Sequence, residues 1–501
     1  MRRQSCLVLL MLVFGLILTA CGDNTATTAP AATTAAATTA AAQATTAAAT
    51  TAAATTAAAT TAAATTAAPT TAAATTAAAT TAAAATTTAA PTTAAVVPPA
   101  KPSGLTGKIS WWHITTGEPG KSAWQAMADA YMKANPGVQI EITILENDAF
   151  KTKLTTVMQS GNPPDLFQSW GGGVMAEYAR AGLLKDITND LKGGWGDSFN
   201  KAPLDVYSAD GKYFGVPWDM GAVGFWYNKA LFAKAGISAP PATWSELLSD
   251  VKKLQAAGIT PISLGEKDKW PGHFYWVYLA TRLGGKAAFD KAYNRSGSFA
   301  DPSYVQAGQK LKELIDLKPF PQGYLGLTYN DQAAAMGDGK AAMELMGQWA
   351  PSVEKDQSTN KQGLGDNLGF FPFPMVEGGA GDKDDVMGGG NGIAVGKNAS
   401  PVAVDFLKYL TSVDNQKVMA SIGVALPVVK GSETAVTDPL LQQVLANVNK
   451  AKYYQLYYDQ YLPPALASVI VDSIQGLYAG TSSADAVAKA VEDSASSELK
   501  K

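Results

Sequence analysis

From Asn24 to Pro99 the chain is almost entirely alanine and threonine, in a drifting TTAAA repeat broken by an occasional proline. That stretch holds no aromatic residue and almost no large aliphatic one. It cannot bury enough surface to offset the entropy of ordering its own backbone. Alanine favours helix, but the recurring threonine pairs dilute that preference. A threonine-rich tract with scattered proline reads either as an O-glycosylated stalk or as a plain flexible linker. Both are spacers, and as a loose coil the tract reaches ~50 Å on average. What folds must therefore lie beyond it, from Leu105 to the end of the 501-residue chain, a length that suits two or three domains.

The foldable part carries nearly all of the 11 Trp, 18 Tyr and 15 Phe. A net charge of −3 leaves no basic footprint for nucleic acid. Cys6 and Cys21 are the only cysteines, and His113 and His273 the only histidines. A disulfide framework, a thiolate metal centre and a histidine-rich metal site are thereby excluded, and no cofactor is expected. After Ala20 no stretch is long and apolar enough to span a membrane.

The N-terminus carries its own message. Arg2-Arg3 precedes an apolar run from Cys6 to Ala20, which ends in Leu18-Thr19-Ala20-Cys21. A basic start, a short apolar segment and a small-residue junction describe a secretory signal peptide. The run falls short of the ~20 residues a spanning helix needs. The tetrad resembles the lipobox of bacterial lipoproteins. That resemblance implies removal of residues 1–20, lipid on the sulfur of Cys21, and a mature protein held at the outer face of the cytoplasmic membrane. Two or more acyl chains hold a protein stably there, whereas one does so marginally. An uncleaved anchor, or a signal peptide with an incidental cysteine, is the alternative.

Past the spacer, strand and helix alternate. Lys108 to Trp112 reads as a strand, and Trp124, Met127, Ala128, Tyr131 and Met132 repeat at helical spacing. Val138, Ile140, Ile142 and Ile144 alternate as in a half-buried strand. Phe150, Leu154, Val157 and Met158 mark a second helix, and Asp165 to Gln168 a third strand. This βαβαβ order implies right-handed crossovers and a parallel sheet. Ligands of such sheets sit beyond the carboxyl ends of the strands, here near His113-Ile114-Thr115, Glu146-Asn147-Asp148 and Ser169-Trp170-Gly171. Further on, Thr243-Trp244-Ser245-Glu246 is a capping box opening a helix, and His273 to Leu283 reads as an aromatic-rich helix. The fold class is α/β with more than one sheet.

Three stretches resemble the extracellular solute-binding proteins of ABC importers, in the branch that carries sugars. They are Ser160-Gly161-Asn162-Pro163-Pro164-Asp165-Leu166-Phe167; Gly211 to Pro217 followed by Tyr227-Asn228-Lys229-Ala230-Leu231-Phe232; and Gly390-Asn391-Gly392-Ile393-Ala394-Val395 followed by Ser400-Pro401. Each alone is weak, but in order they are specific. The segments Tyr457-Tyr458-Asp459-Gln460 and Leu462-Pro463-Pro464-Ala465 look like the oligosaccharide-binding branch. The resemblance implies a two-lobed periplasmic-binding-protein fold, with a hinge and a central ligand cleft. The lobes would hold 105–217 with 388–435, and 218–387 with 436–501. It further implies a monomeric receptor that closes on a sugar and hands it to permease subunits in the membrane.

A sugar presents hydroxyls at its ring edge and C–H groups on its faces, so its cleft needs aromatic plates and fixed polar groups. Trp170, Trp270 and Trp349 are the candidate plates; core packing is the competing reading, because tryptophan is mostly buried. Trp270 sits in the polar run Lys267-Asp268-Lys269-Trp270-Pro271-Gly272, read here as a loop. The polar candidates are Glu146, Asn147, Asp219 and Asn391, since carboxylates make the stronger acceptors. Helix capping competes for Asn147, and a surface loop for Asp219. Gly388-Gly389-Gly390 would let backbone approach a ligand closely, with Gly389 at its centre, and Tyr458 completes the candidate set. His113 reads as structural. No Gly-x-Ser-x-Gly elbow and no HExxH motif occurs. A glycoside hydrolase using Glu146 and Asp219, which would need them about 5–5.5 Å apart if retaining, and a stalked adhesion module remain the competing functions. The resemblance points to short β-linked xylo- or cello-oligosaccharides, with an α-linked glucoside open.

Overall fold

The computed structural model describes residues 96–499. The expected signal peptide, the expected lipidation site Cys21 and the Ala/Thr tract through 95 lie outside the described residues. The chain joins the fold earlier than its composition indicated. Val97, Ala100 and Leu105 pack on a hydrophobic core, and the Tyr409 hydroxyl donates to the Pro98 carbonyl at 2.7 Å. The side-chain oxygen of Asn135 accepts from both the N–H and the hydroxyl of Ser103. The spacer expected through 104 thus ends near Val97, because the apolar Val-Val-Pro-Pro segment has a surface to lie on.

The alternating apolar residues form the strands Gly107–His113, Val138–Ile144 and Leu166–Ser169. The first runs parallel to both others, joined through the helices Gly120–Ala134 and Asn147–Gln159, as the crossover rule requires. Gly392–Val395 then enters antiparallel between Leu166–Ser169 and Gly215–Pro217, closing a five-stranded sheet. Trp124 meets Trp111 at 5.4 Å and Trp218 at 5.2 Å, edge to face in both cases. Such pairs add about 0.5–1.5 kcal/mol beyond their buried area.

A second sheet pairs Leu368–Phe371, Gly224–Asn228, Ala341–Met346 and Thr260–Ile262, in that order. Its core is aromatic: Phe225 stacks on Phe371 at 5.0 Å, and Tyr278 on Phe373 at 4.5 Å. The Thr243/Glu246 capping box forms and starts the helix Trp244–Ala256. The aromatic helix runs Trp270–Tyr293 and breaks its regular backbone at Gly285, where φ is 62°. It begins three residues before its expected start, at Trp270. Pro271 and Gly272 read as breakers in the sequence, but a proline costs nothing in the first turn, where its missing N–H has no partner anyway. Arg282 is fully buried. Its guanidinium donates to the carbonyls of Phe373, Pro374, Asp382, Lys383 and Asp385, which pins the 373–385 loop to that helix.

One core draws on residues 109–218 and 393–429, and the other mainly on 222–387 and 436–495. The chain crosses between them three times, near 218–222, 387–393 and 429–436, and the first two crossings lie side by side. The Trp218 N–H donates to the Asn391 carbonyl at 2.8 Å, and Val386–Gly389 pairs with Gly221–Ala222. The molecule is a two-lobed α/β protein with a cleft at this crossing.

Candidate functional site

The strand ends on which the first lobe should present its ligand groups do converge. Ile114, Thr115, Glu146, Asn147 and Trp170 all line a cleft between the lobes. Trp270, Trp349, Asp219 and Asn391 line the same cleft from the crossing and the second lobe. Seven of the nine candidate ligand-contact positions are therefore brought together.

The second lobe supplies a continuous aromatic wall. Trp270 opens its helix and packs on Tyr329 at 4.8 Å and on Trp349 at 6.4 Å. Trp349 stands at the start of the helix Ala350–Gln357 and reaches Tyr457, whose ring stacks on Phe274 at 5.4 Å. Trp170 faces this wall from the first lobe, backed by Phe150 at 6.1 Å. Lys151 stands between them. Its ammonium lies 5.3 Å from the Trp170 ring and 5.9 Å from the Trp270 ring.

Asp219 lies at the cleft floor, only 1 % exposed, and is not the surface-loop residue of the competing reading. One oxygen accepts from the Asn391 N–H at 2.5 Å. The other accepts from the Asn391 amide at 2.9 Å and the Gln348 amide at 3.3 Å. Asn391 in turn accepts from Gln168 at 2.8 Å. Burial pushes the Asp219 carboxyl up to about 7, against the pull of these donors. Its oxygens are occupied, so Asp219 ties the crossing together as well as lining the cleft.

Glu146, rather than Asn147, caps its helix: its carboxylate accepts from the Asp148 N–H at 3.0 Å. Asp148 is pushed up to about 6, mainly by burial, with Lys151 pulling down and Asp268 pushing up. Asp268 belongs to the second lobe, where its carboxylate accepts from the Tyr329 N–H at 2.7 Å. The two carboxyl groups lie close enough across the cleft for the charge of Asp268 to help hold Asp148 up. Asp459 lies 3.5 Å from the His273 ring. That histidine is held below its ordinary pKa by burial, so it faces the carboxylate uncharged.

Two candidates are corrected. Tyr458 does not face the cleft; its ring is buried at 1 % exposure against Trp276, Phe289 and Phe299. The short helix Tyr458–Tyr461 turns Tyr458 into the core, and its neighbour Tyr457 lines the cleft instead. Gly389 is not among the cleft-lining residues either. A methyl group there would overlap the Tyr457 ring, and one on Gly390 the Asp219 carbonyl. The glycine run lets the wall and the crossing pack closely. His113 is buried beside Trp111 at 4.9 Å, burial lowers its pKa to about 4, and its role is structural.

Sequence reasoning missed Lys151, Asp268, Tyr329 and Tyr457. Lys151 is one of two lysines on its helix, with Lys153, and nothing in the spacing marks it. Tyr457 sat in a segment the resemblance singled out, where only the local helix phase decides which tyrosine turns inward.

A family model described as bacterial extracellular solute-binding protein matches residues 115–417. The chain is 26% identical over 355 residues to an uncharacterized ABC transporter extracellular-binding protein of Pyrococcus horikoshii, covering 69% of this chain and 76% of that one. It is 28% identical over 305 residues to the diacetylchitobiose binding protein of Streptomyces coelicolor, covering 58% and 66%. Among solved structures, one from xylan utilization by the thermophilic bacterium Caldanaerobius polysaccharolyticus matches with TM-score 0.72 and 31% identity, over 77% of this chain and 99% of that one. A chitin oligosaccharide binding protein also matches with TM-score 0.72, at 27% identity, over 79% and 99%. The Pyrococcus, Streptomyces and chitin-oligosaccharide relatives are named as binding proteins, and the chain belongs to the family of bacterial extracellular solute-binding proteins.

Proposed function

We propose that the cleft captures a short β-linked oligosaccharide, that the lobes close on it, and that the loaded protein delivers it to the permease of an ABC importer. The carrying observation is Trp170 facing the wall of Trp270, Trp349 and Tyr457, with carboxylates and amides at the edges. Flat aromatic plates suit the C–H faces of sugar rings, and acceptors suit their hydroxyls. The names of the relatives point the same way: diacetylchitobiose, chitin oligosaccharides and xylan breakdown are all β-linked sugar chemistry. The lipobox-like tetrad ending in Cys21 supports a lipid tether, and the Ala/Thr tract a spacer that keeps the receptor near its permease and free to move.

Binding rather than hydrolysis fits the carboxylates. Asp219 has both oxygens occupied by donors, and Glu146 is engaged as a cap. The test is isothermal titration over xylo-, cello-, chito- and malto-oligosaccharides, with recovery of the sugar afterwards. A micromolar Kd, about −8 kcal/mol, for a β-linked member with the sugar returned intact is expected. Cleaved product, or no binding across the panel, overturns the reading. For the tether, radiolabelled palmitate should enter the wild type and not Cys21→Ala.

A further inference from the structure

We propose that Lys151 selects the charge of the ligand: clipped between Trp170 and Trp270, its ammonium keeps the cleft for uncharged sugars and closes it to sugars bearing a free amine. This inference rests on the sugar reading above and deepens it.

The cleft is otherwise built to attract cations. Glu118, Glu146, Asp219, Asp356 and Asp459 line it, and Lys151 is the only basic residue among its described lining residues. Indole faces attract a cation within about 6 Å of the ring centroid. Two such faces and a surplus of carboxylates are the chemistry that would draw in an amino sugar. That position is already taken. The Lys151 ammonium lies 5.3 Å from one indole and 5.9 Å from the other, where a ligand amine would gain most.

The ammonium is also uncommitted. It feels the charge of Asp148 on its own helix, but forms no ion pair within 4.0 Å among the described residues. Its three donors can therefore serve sugar hydroxyls, which accept, and meet only repulsion from a protonated amine, which cannot accept. Lys151 and Trp170 belong to the first lobe and Trp270 to the second. The clip exists only where the lobes come together, so charge would be read at that step.

The test uses Lys151→Met and Lys151→Arg in the full chain at pH 5.5, where amino sugars are protonated. The probes are the glucosamine trimer and the tightest neutral sugar of the panel, by isothermal titration. Wild type should prefer the neutral sugar by at least tenfold. Lys151→Met should improve the glucosamine trimer by at least tenfold relative to its effect on the neutral sugar. Lys151→Arg, which keeps the charge, should retain the wild-type preference. Equal change of both ligands in Lys151→Met, or tight binding of the amine by wild type, overturns the assignment while leaving sugar binding intact. Failure of every neutral sugar to bind wild type overturns the sugar reading and takes this inference with it.

Discussion

Asp148 and Asp268, one from each lobe, bring two carboxyl groups close enough for the charge of one to raise the pKa of the other. Two neighbouring carboxylates repel, so the pair favours keeping a proton on one of them. Asp148 titrates at about 6 in the folded protein against an ordinary 3.8. A raised carboxyl pKa contributes stability that is fully present below about pH 4 and lost as pH rises through about 6. The pair is partly open to solvent, so roughly 1 kcal/mol is at stake. Urea unfolding of wild type and Asp148→Asn at pH 4.5 and 7.5 measures it. The amide is uncharged at any pH, so the substitution should flatten this part of the pH dependence. An unchanged difference between wild type and variant at the two pH values overturns this coupling.

The two neighbouring tyrosines should separate binding from folding. Tyr457→Ala should weaken sugar binding by about 2 kcal/mol, as loss of a central aromatic contact does. Tyr458→Ala should instead cost about 3–5 kcal/mol of stability, from the cavity it opens among Trp276, Phe289 and Phe299. Titration and chemical unfolding of both variants decide the matter.

Trp270→Ala should cost sugar binding ~2 kcal/mol or more. Its ring supports both Tyr329 and Trp349, so Trp349→Ala should be less than additive with it when the two are combined. A double-mutant cycle on Kd reads that coupling directly.

Asp219→Ala should destabilise the protein by about 2–4 kcal/mol. It would leave the N–H and amide of Asn391 and the amide of Gln348 without their buried acceptor. Thermal unfolding without ligand is the measurement. A loss confined to sugar affinity would make Asp219 a pure ligand contact instead.

The first lobe was the more legible half. Its alternating isoleucines and helical spacing fixed three strands and two helices, and the carboxyl-end rule then put Glu146, Asn147 and Trp170 on the cleft. The second lobe was read less well, because its apolar runs are buried on every side. Ala341–Met346 has no exposed residue, and a run of that kind carries no period. Pro271 and Gly272 hid the true start of the helix that carries Trp270. The glycines at 388–390 were read as room for a ligand, whereas they make room for Tyr457 and the Asp219 backbone. A sequence shows that a side chain is missing, but not which neighbour fills the space. Lys151 was invisible for a related reason: its meaning comes from two tryptophans, one of them on the other lobe.

The early entry of the chain into the fold has a mechanical consequence. Val97, Pro98 and Ser103 are fastened to Tyr409 and Asn135, all on the first lobe. Any load arriving along the chain from residue 95 is therefore borne by that lobe alone. The other lobe, with its aromatic wall, has no part in that fastening, so a pull on the N-terminus acts directly on only one jaw of the cleft.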